Sequence, residues 1–269
     1  MPTLSAKSLF QESVDNDGSC RLFCSIAASG EEQGGWDNGR IAALLPASPR
    51  HLVPKAARHG ADEDKHGRIF RALLRKRGLC PAEVREEADS TMLLARRGIG
   101  LAHRTLRRAE PGQDVITYLA HSRVTAQRAS EQMLLLKKHF GDDPELGRAV
   151  RMISADEDNH LAYCHEELLR FAHAGHGRRI QRTLRACALA EIAVHRDVSL
   201  AVMERMGRIL GRPAPRSALL AVGVRARYGY ERLAGWRRTV GLRMPERRDA
   251  LGGRVRLSAR GRVTASPGV

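Results

Sequence analysis

The residues best suited to chemistry in this chain belong to two short acidic motifs. Asp-Glu-Asp-Lys-His ends at His66, and Asp-Glu-Asp-Asn-His ends at His160. Glu63 and Glu157 each precede their histidine by three residues, so on a helix both side chains of a pair lie on one face. Carboxylate and imidazole together suit a divalent transition metal, and two such helices facing each other would hold two metal ions. Two solvated acidic helix turns are the alternative.

A second repeat lies upstream of the motifs and adds one glutamate to each half of the chain. Glu32 precedes Glu63 by 31 residues, and Glu131 precedes Glu157 by 26 residues. Either distance fits a helix, a turn and an antiparallel return to the same level, so each half is predicted to be a helical hairpin. Glu31 is the alternative to Glu32, because helical phase alone does not decide between neighbours. The repeat favours Glu32.

Glycine and proline clusters divide the chain into seven predicted helices, with no convincing alternating strand. The helices are predicted at about residues 19–45, 51–77, 81–108, 113–140, 144–173, 178–210 and 216–240. The third would be a crossover between the hairpins. We expect an N-terminal tail over 1–18, a helical domain over 19–210, and an Arg-rich C-terminal helix with a loose tail over 211–269.

Composition excludes several classes of protein. Hydrophobic residues make up 42% of the chain, and no apolar run of 18 residues exists to span a membrane. The start of the chain lacks the pattern of a secretory signal. The five cysteines contain no Cys-x-x-Cys, which argues against a disulfide framework or a zinc ribbon. We therefore expect a cytoplasmic location.

The positive charge is concentrated at the C-terminal end. The net charge is +16, and residues 205–269 contain 16 arginines, no lysine and three acidic residues. Such a segment predicts an anionic partner, whether nucleic acid, acidic lipid or an acidic protein face. A merely solvated tail is the alternative. Aromatic residues make up only 4% of the chain, which leaves no stacking platform for bases.

Two glutamate-bearing helices combined with two Glu-x-x-His helices resemble the di-iron carboxylate proteins of the ferritin-like superfamily, most of all the uncharacterised ferritin-like proteins of actinobacteria. The resemblance covers about residues 19–175. It implies an all-α fold, namely a ferritin-like four-helix bundle with a crossover helix and extra C-terminal helices. The implied ligands are Glu32, Glu63, His66, Glu131, Glu157 and His160.

By the same resemblance, Glu63 and Glu157 would bridge two iron ions, with manganese or a mixed manganese and iron pair as alternatives. The Asp before each motif glutamate would hydrogen-bond the histidine of the other motif, pairing Asp156 with His66 and Asp62 with His160. Exposure of both aspartates to solvent is the alternative.

Other residues near the motifs have weaker predicted roles. His59 lies one turn before Glu63 and is a candidate seventh ligand, although a packed or exposed histidine is favoured. Tyr163 and Cys164 follow His160 closely and are either groups beside the centre or, as favoured, core residues. Glu191 and His195 are interpreted as an ordinary i,i+4 helix pair.

The favoured functional hypothesis is a di-iron oxidase or hydroxylase that acts with O2 on a small-molecule substrate. The alternatives are a ferroxidase or other iron-handling protein, a ferritin-like enzyme of the tRNA hydroxylase type, and a non-catalytic helical interaction module. A homodimer is compatible with each of them. The fold class does not choose among these reactions.

Overall fold

The structure is a computed structural model, and it describes residues 5–45, 51–99, 111–242, 247–248 and 254–255 of the chain. These residues are almost entirely helical, which confirms the all-α prediction. The α-helices are α1 (Ala6–Asp15), α2 (Asp17–Leu44), α3 (Leu52–Lys76), α4 (Ser90–Arg96), α5 (Pro111–Phe140), α6 (Gly147–Phe171), α7 (Gly177–Ile209), α8 (Ala214–Tyr230) and α9 (Trp236–Val240). None of the described helices carries an apolar stretch long enough to cross a membrane.

Glycines in the left-handed region mark the predicted ends of three helices. Gly78 after α3 has a φ of 67°, Gly175 between α6 and α7 a φ of 96°, and Gly211 after α7 a φ of 58°. A residue with a Cβ is strained at such angles, so glycine is the usual residue where a helix ends this way. The predicted breaks at these positions are confirmed.

Two antiparallel hairpins, α2–α3 and α5–α6, form the bundle, and α3 packs against α6 so that the two acidic motifs lie on neighbouring helices. Their apolar side chains form two clusters. One cluster contains Leu52, Leu119 and Leu168, and the other contains Phe70 and Phe140. On α3 and on α6 the motif falls between the residues of the two clusters. A polar layer is therefore enclosed between two apolar layers.

Glycines bring α2 and α3 unusually close together. A Cβ on Gly60 would lie 2.9 Å from the backbone nitrogen of Gly39 and 3.0 Å from the carbonyl oxygen of Gly35. Only a residue without a side chain permits this approach. A Cβ on Gly34 of α2 would lie 3.2 Å from Oε2 of Glu63 on α3. The contact fixes how α2 is rotated towards the motif on α3.

The predicted crossover helix over residues 81–108 is wrong in its first part. Residues 80–85 are not helical, a 3₁₀ turn follows at Glu86–Ala88, and α4 begins only at Ser90. Side chains of α2 hold the non-helical stretch. Arg21 Nε donates to the Cys80 carbonyl at 2.6 Å, and the Ala82 amide donates to Ser25 Oγ at 2.8 Å. Residues 100–110 lie outside the described ranges.

The two ends of the chain also differ from the prediction. The expected N-terminal tail contains α1, which is capped by Ser5, and Glu12 on this helix pairs with Arg212 at 3.1 Å and with Arg216. Part of the C-terminal positive charge is thus neutralised inside the fold. The expected loose tail contains two short antiparallel strands, Arg247–Arg248 and Arg254–Val255. The rest of residues 243–269 lies outside the described ranges.

Candidate metal centre

Six acidic and histidine side chains meet in the polar layer between α2, α3 and α6. They form two overlapping groups whose ligand atoms lie within 4.8 Å of one another. One group is His59, Glu63 and His160, and the other is Glu31, Glu63, His66 and Glu157. Glu63 belongs to both groups. This buried cluster could hold a metal ion, since carboxylate and imidazole donors converge on one small volume.

Glu157 lies between the two motif histidines. Its Oε1 is 3.7 Å from Nδ1 of His66, and its Oε2 is 3.7 Å from Nδ1 of His160. All three side chains are buried. The two oxygens of one carboxylate therefore face two different imidazoles.

The aspartate of each motif contacts the histidine of the other motif. Nε2 of His66 lies 3.0 Å from Oδ2 of Asp156, and Nε2 of His160 lies 3.5 Å from Oδ2 of Asp62. Lys65 lies 2.7 Å from both Asp62 Oδ1 and Asp156 Oδ2. The predicted hydrogen bond is therefore present between His66 and Asp156, whereas Asp62 faces His160 without forming one. Since Nε2 faces aspartate in each case, Nδ1 is the nitrogen left for the cluster.

His59 belongs to the cluster, contrary to the favoured interpretation that it merely packs or is exposed. Its Nε2 lies 2.9 Å from Oε1 of Glu63, and its ring stacks on that of His160 with centroids 3.8 Å apart. Its Nδ1 lies 2.7 Å from the hydroxyl of Tyr163. The signal in the sequence was the position one helical turn before Glu63, which α-helical geometry places on the same face.

Two tyrosines extend the polar layer away from His59. The hydroxyl of Tyr163 lies 2.9 Å from that of Tyr118, which donates to Oδ1 of Asn38 at 2.9 Å. Burial raises the pKa of Tyr163 well above its usual range, so the phenol stays protonated. Tyr163 therefore contacts the centre and is not only a core residue. Cys164, in contrast, is a core residue, and burial raises its pKa to about 12.

Glu31 takes the place that the sequence assigned to Glu32. Oε2 of Glu31 lies 3.1 Å from Nδ1 of His66, whereas the carboxylate of Glu32 pairs with Arg71 at the surface. Neighbouring residues on an α-helix point about 100° apart, so only one of the two reaches the layer. The rotation set by the α2–α3 contact selects Glu31. Glu31, and not the predicted Glu32, therefore belongs to the cluster.

Glu131 also lies outside both groups. Its Oε1 accepts a hydrogen bond from Gln127 at 3.2 Å, and it lines a small cavity beside Arg128 and Glu191. The sequence repeat aligned Glu131 with Glu32, and neither residue belongs to the cluster. The preceding position on α5 is Ser130, which is buried and donates to Asp158 at 3.1 Å. Within the described residues, α5 supplies no member of either group.

Glu191 pairs with Arg128 and not with His195, so the interpretation of Glu191 and His195 as a helix pair is wrong. Arg128 on α5 donates to both of its carboxylate oxygens, at 2.8 and 2.9 Å, and also binds Glu231. The two contacts join α7 and the turn after α8 to the bundle. They lie outside the metal centre.

Without a cation, each of the three carboxylates of the centre disfavours ionisation of its neighbours. Burial, then the neighbouring Glu63, raises the pKa of Glu31 well above its usual range and that of Glu157 to about 8. Burial opposes ionisation of Glu63 too, but hydrogen bonds with His59 and Glu31 outweigh it and lower its pKa. Ionised carboxylates held together in a buried layer are stabilised by a positive ion.

The histidines fit a metal as well. Burial lowers the pKa of His160, so its imidazole is neutral at pH 7 and has a free lone pair. Neither ring nitrogen of His160 has a hydrogen-bond partner among the described residues, although both are buried. Such an orphaned nitrogen is costly unless something binds it. A cation at Nδ1, between Glu63 and Glu157, would satisfy it.

Comparisons with family models, with curated proteins and with solved structures found no match to this chain.

Proposed function

We propose that this chain is a di-iron oxidoreductase that uses O2 to oxidise a small organic substrate. His59 and His160 would hold one iron ion, and Glu31 and His66 the other. Glu63 and Glu157 would contribute their carboxylates to holding the pair. The bound pair would supply two of the four electrons that reduce O2 to water, and oxidation of the substrate would supply the other two.

The observation that carries the proposal is the position of Glu157. Its two oxygens lie 3.7 Å from Nδ1 of His66 and 3.7 Å from Nδ1 of His160, so one buried carboxylate is close to both imidazoles. Glu63 is a second carboxylate that connects the two histidine sites, because it belongs to both candidate groups. A single-metal site needs no such sharing, and two bridging carboxylates fit two ions held close together.

The surrounding residues orient the histidines of the site. Asp156 and Asp62 face Nε2 of the two motif histidines, which directs Nδ1 of each ring towards the carboxylates. Tyr163 does the same for His59, because its hydroxyl occupies Nδ1 and leaves Nε2 for Glu63. The apolar clusters on either side exclude water, which strengthens every electrostatic interaction in the layer.

The missing carboxylate on α5 favours an oxidase over a closed structural site. Glu31, Glu63 and Glu157 supply three negative charges against the four positive charges of two divalent ions. Among the described residues α5 contributes no member to either group, so two ions would keep coordination positions that these side chains do not fill. An open position is what distinguishes a catalytic metal site from a structural one.

The test is anaerobic reconstitution of the purified chain with ferrous iron, followed by elemental analysis and measurement of O2 consumption. We expect about two irons per chain and rapid O2 consumption. The double variant Glu63→Ala, Glu157→Ala should retain almost no iron. Many irons per chain would contradict the proposal in favour of storage, and an iron content unchanged in the double variant would remove the site.

Matched controls come from the glutamates that the sequence alone would have chosen. Glu31→Gln should lower the iron content, whereas Glu32→Gln and Glu131→Gln should leave it unchanged, since both side chains lie outside the cluster. Each variant keeps the size of the side chain and removes only its charge. Equal loss in all three would contradict the ligand set.

A further inference from the structure

A pocket of about 230 Å³ opens between α2, α3 and the non-helical segment that follows α3. Ala28, Leu74 and Val84 contribute apolar atoms to its lining, and Ser29 and Arg71 contribute polar ones. Arg71 is the only charged residue in the lining. A small molecule with one anionic end and an apolar body would match these residues.

The pocket stands next to the metal centre along both helices. Ala28 precedes Glu31 by one turn of α2. Arg71 follows Glu63 by two turns on the same face of α3, about 12 Å along the helix axis. Gly67 lies between them on that face, next to His66 in the chain. The group that occupies the space beside Gly67 therefore lies between the pocket and the centre.

The side chain of Glu32 fills that space. A Cβ on Gly67 would lie 2.7 Å from Cγ of Glu32, so Glu32 occupies the notch that the glycine leaves. From there its carboxylate reaches Arg71 through two hydrogen bonds. Both side chains are about two-fifths exposed, at 39% and 40%. Because both side chains reach the solvent, a carboxylate from solution can compete with Glu32 for Arg71.

We propose that this pocket binds a small organic carboxylate, which replaces Glu32 on Arg71. The planar guanidinium accepts a carboxylate in the same two-point manner whether it comes from the protein or from a ligand. The apolar part of the ligand would lie against Ala28, Leu74 and Val84. Displaced from Arg71, Glu32 would leave the notch at Gly67 and open the side of the pocket next to His66.

The volume sets the size of the ligand. A cavity of about 150 Å³ holds benzene, so a pocket of about 230 Å³ has room for one ring and a carboxylate. Benzoate is therefore a suitable probe, and benzamide is its neutral match. That such acids are the substrates rests on the proposed function, whereas their binding does not, because Arg71 and Glu32 lie outside the metal cluster.

The experiment is calorimetric titration of the metal-free chain with benzoate and with benzamide. We expect benzoate to bind with a Kd on the order of 1 mM and benzamide at least about tenfold more weakly. Arg71→Gln should abolish benzoate binding. Glu32→Gln should strengthen it several-fold, because the internal competitor loses its charge. Arg75→Gln, one turn further along α3 and exposed, is the matched control and should change nothing.

Equal binding of the two probes would overturn the proposal, as would benzoate binding that survives in Arg71→Gln or weakens in Glu32→Gln. Thermal unfolding of each variant shows whether the fold is retained. Failure of the proposed function is distinguishable, since it would appear as an absence of bound iron in a chain that still binds benzoate. Failure of the pocket would appear as an iron-loaded chain that binds neither probe.

Discussion

Nε2 of His66 lies 3.0 Å from Oδ2 of Asp156, which comes 90 positions later in the chain. The contact joins the histidine of one acidic motif to the aspartate of the other, and Asp62 faces His160 in the reciprocal pair at 3.5 Å. Because an aspartate of each motif faces a histidine of the other, the candidate site is built from both hairpins. The two motifs therefore act as one unit.

Asp156→Asn should weaken metal binding without unfolding the chain. The amide is a poorer acceptor, so Nδ1 of His66 loses orientation and basicity, and we expect metal affinity to fall by about 10- to 100-fold. Cobalt(II) titration followed by visible absorption measures this affinity. Asp64→Asn is the matched control, since Asp64 lies in the motif of His66 but is exposed. An equal effect of both substitutions would show that charge alone matters.

Tyr163→Phe should destabilise the metal-free chain by about 1–3 kcal/mol, because Nδ1 of His59 then loses its buried partner. Urea denaturation measures the free energy of unfolding. Tyr230→Phe makes the same change at a side chain that is 61% exposed, and it should have little effect. If the two variants were equally stable, the hydrogen bond to His59 would contribute nothing to the free energy of unfolding.

Gly60→Ala should destabilise the fold by about 1–3 kcal/mol, because the new Cβ would meet the backbone of α2 at Gly39 and Gly35. Gly30→Ala is the control on α2, where no atom lies within 4 Å of the added Cβ. There we expect a gain of up to about 1 kcal/mol from helix propensity. Both values come from urea denaturation of the metal-free chain, and a stable Gly60→Ala variant would contradict the close contact.

Stability should fall with acid in part through His195. Burial, then the charge of Arg128, lowers the pKa of His195 to about 4 in the folded chain. The unfolded chain binds this proton near pH 6.5 and the folded chain does not, so stability is lost as the pH falls from 6.5 to 4.

His195→Gln should remove part of that loss, on the order of 1–3 kcal/mol across the interval. Free energies of unfolding of the metal-free chain at several pH values measure it. His173→Gln, at an exposed position, should leave the slope as it is in the unsubstituted chain. A slope unchanged by His195→Gln would show that other groups cause the acid loss.

Much of the fold could be predicted because its signals are local. Gly78, Gly175 and Gly211 end helices in a conformation that suits glycine, and the breaks were predicted from them. The non-helical stretch after Cys80 was missed, because Arg21 and Ser25 on a distant helix hold it. Contacts of that range leave no local pattern.

The candidate site divides in the same way. The i,i+3 spacing placed Glu63 with His66 and Glu157 with His160, since helical geometry alone puts each pair on one face. The choice between Glu31 and Glu32 depended on the rotation of a whole helix. Glu131 lies outside both groups, because a matching repeat does not show which way its residues point.

The sequence by itself determined the two motifs, the helices that carry them and the supply of carboxylate and imidazole donors. Only the tertiary structure decided which side chains meet. The contact of Gly60 with the backbone of α2 directs Glu31 inward and Glu32 outward. The packing of α3 against α6 brings His59 onto His160 and within reach of Tyr163. The reason is physical, because a helix fixes the angles between its own residues while its rotation and neighbours are set by packing.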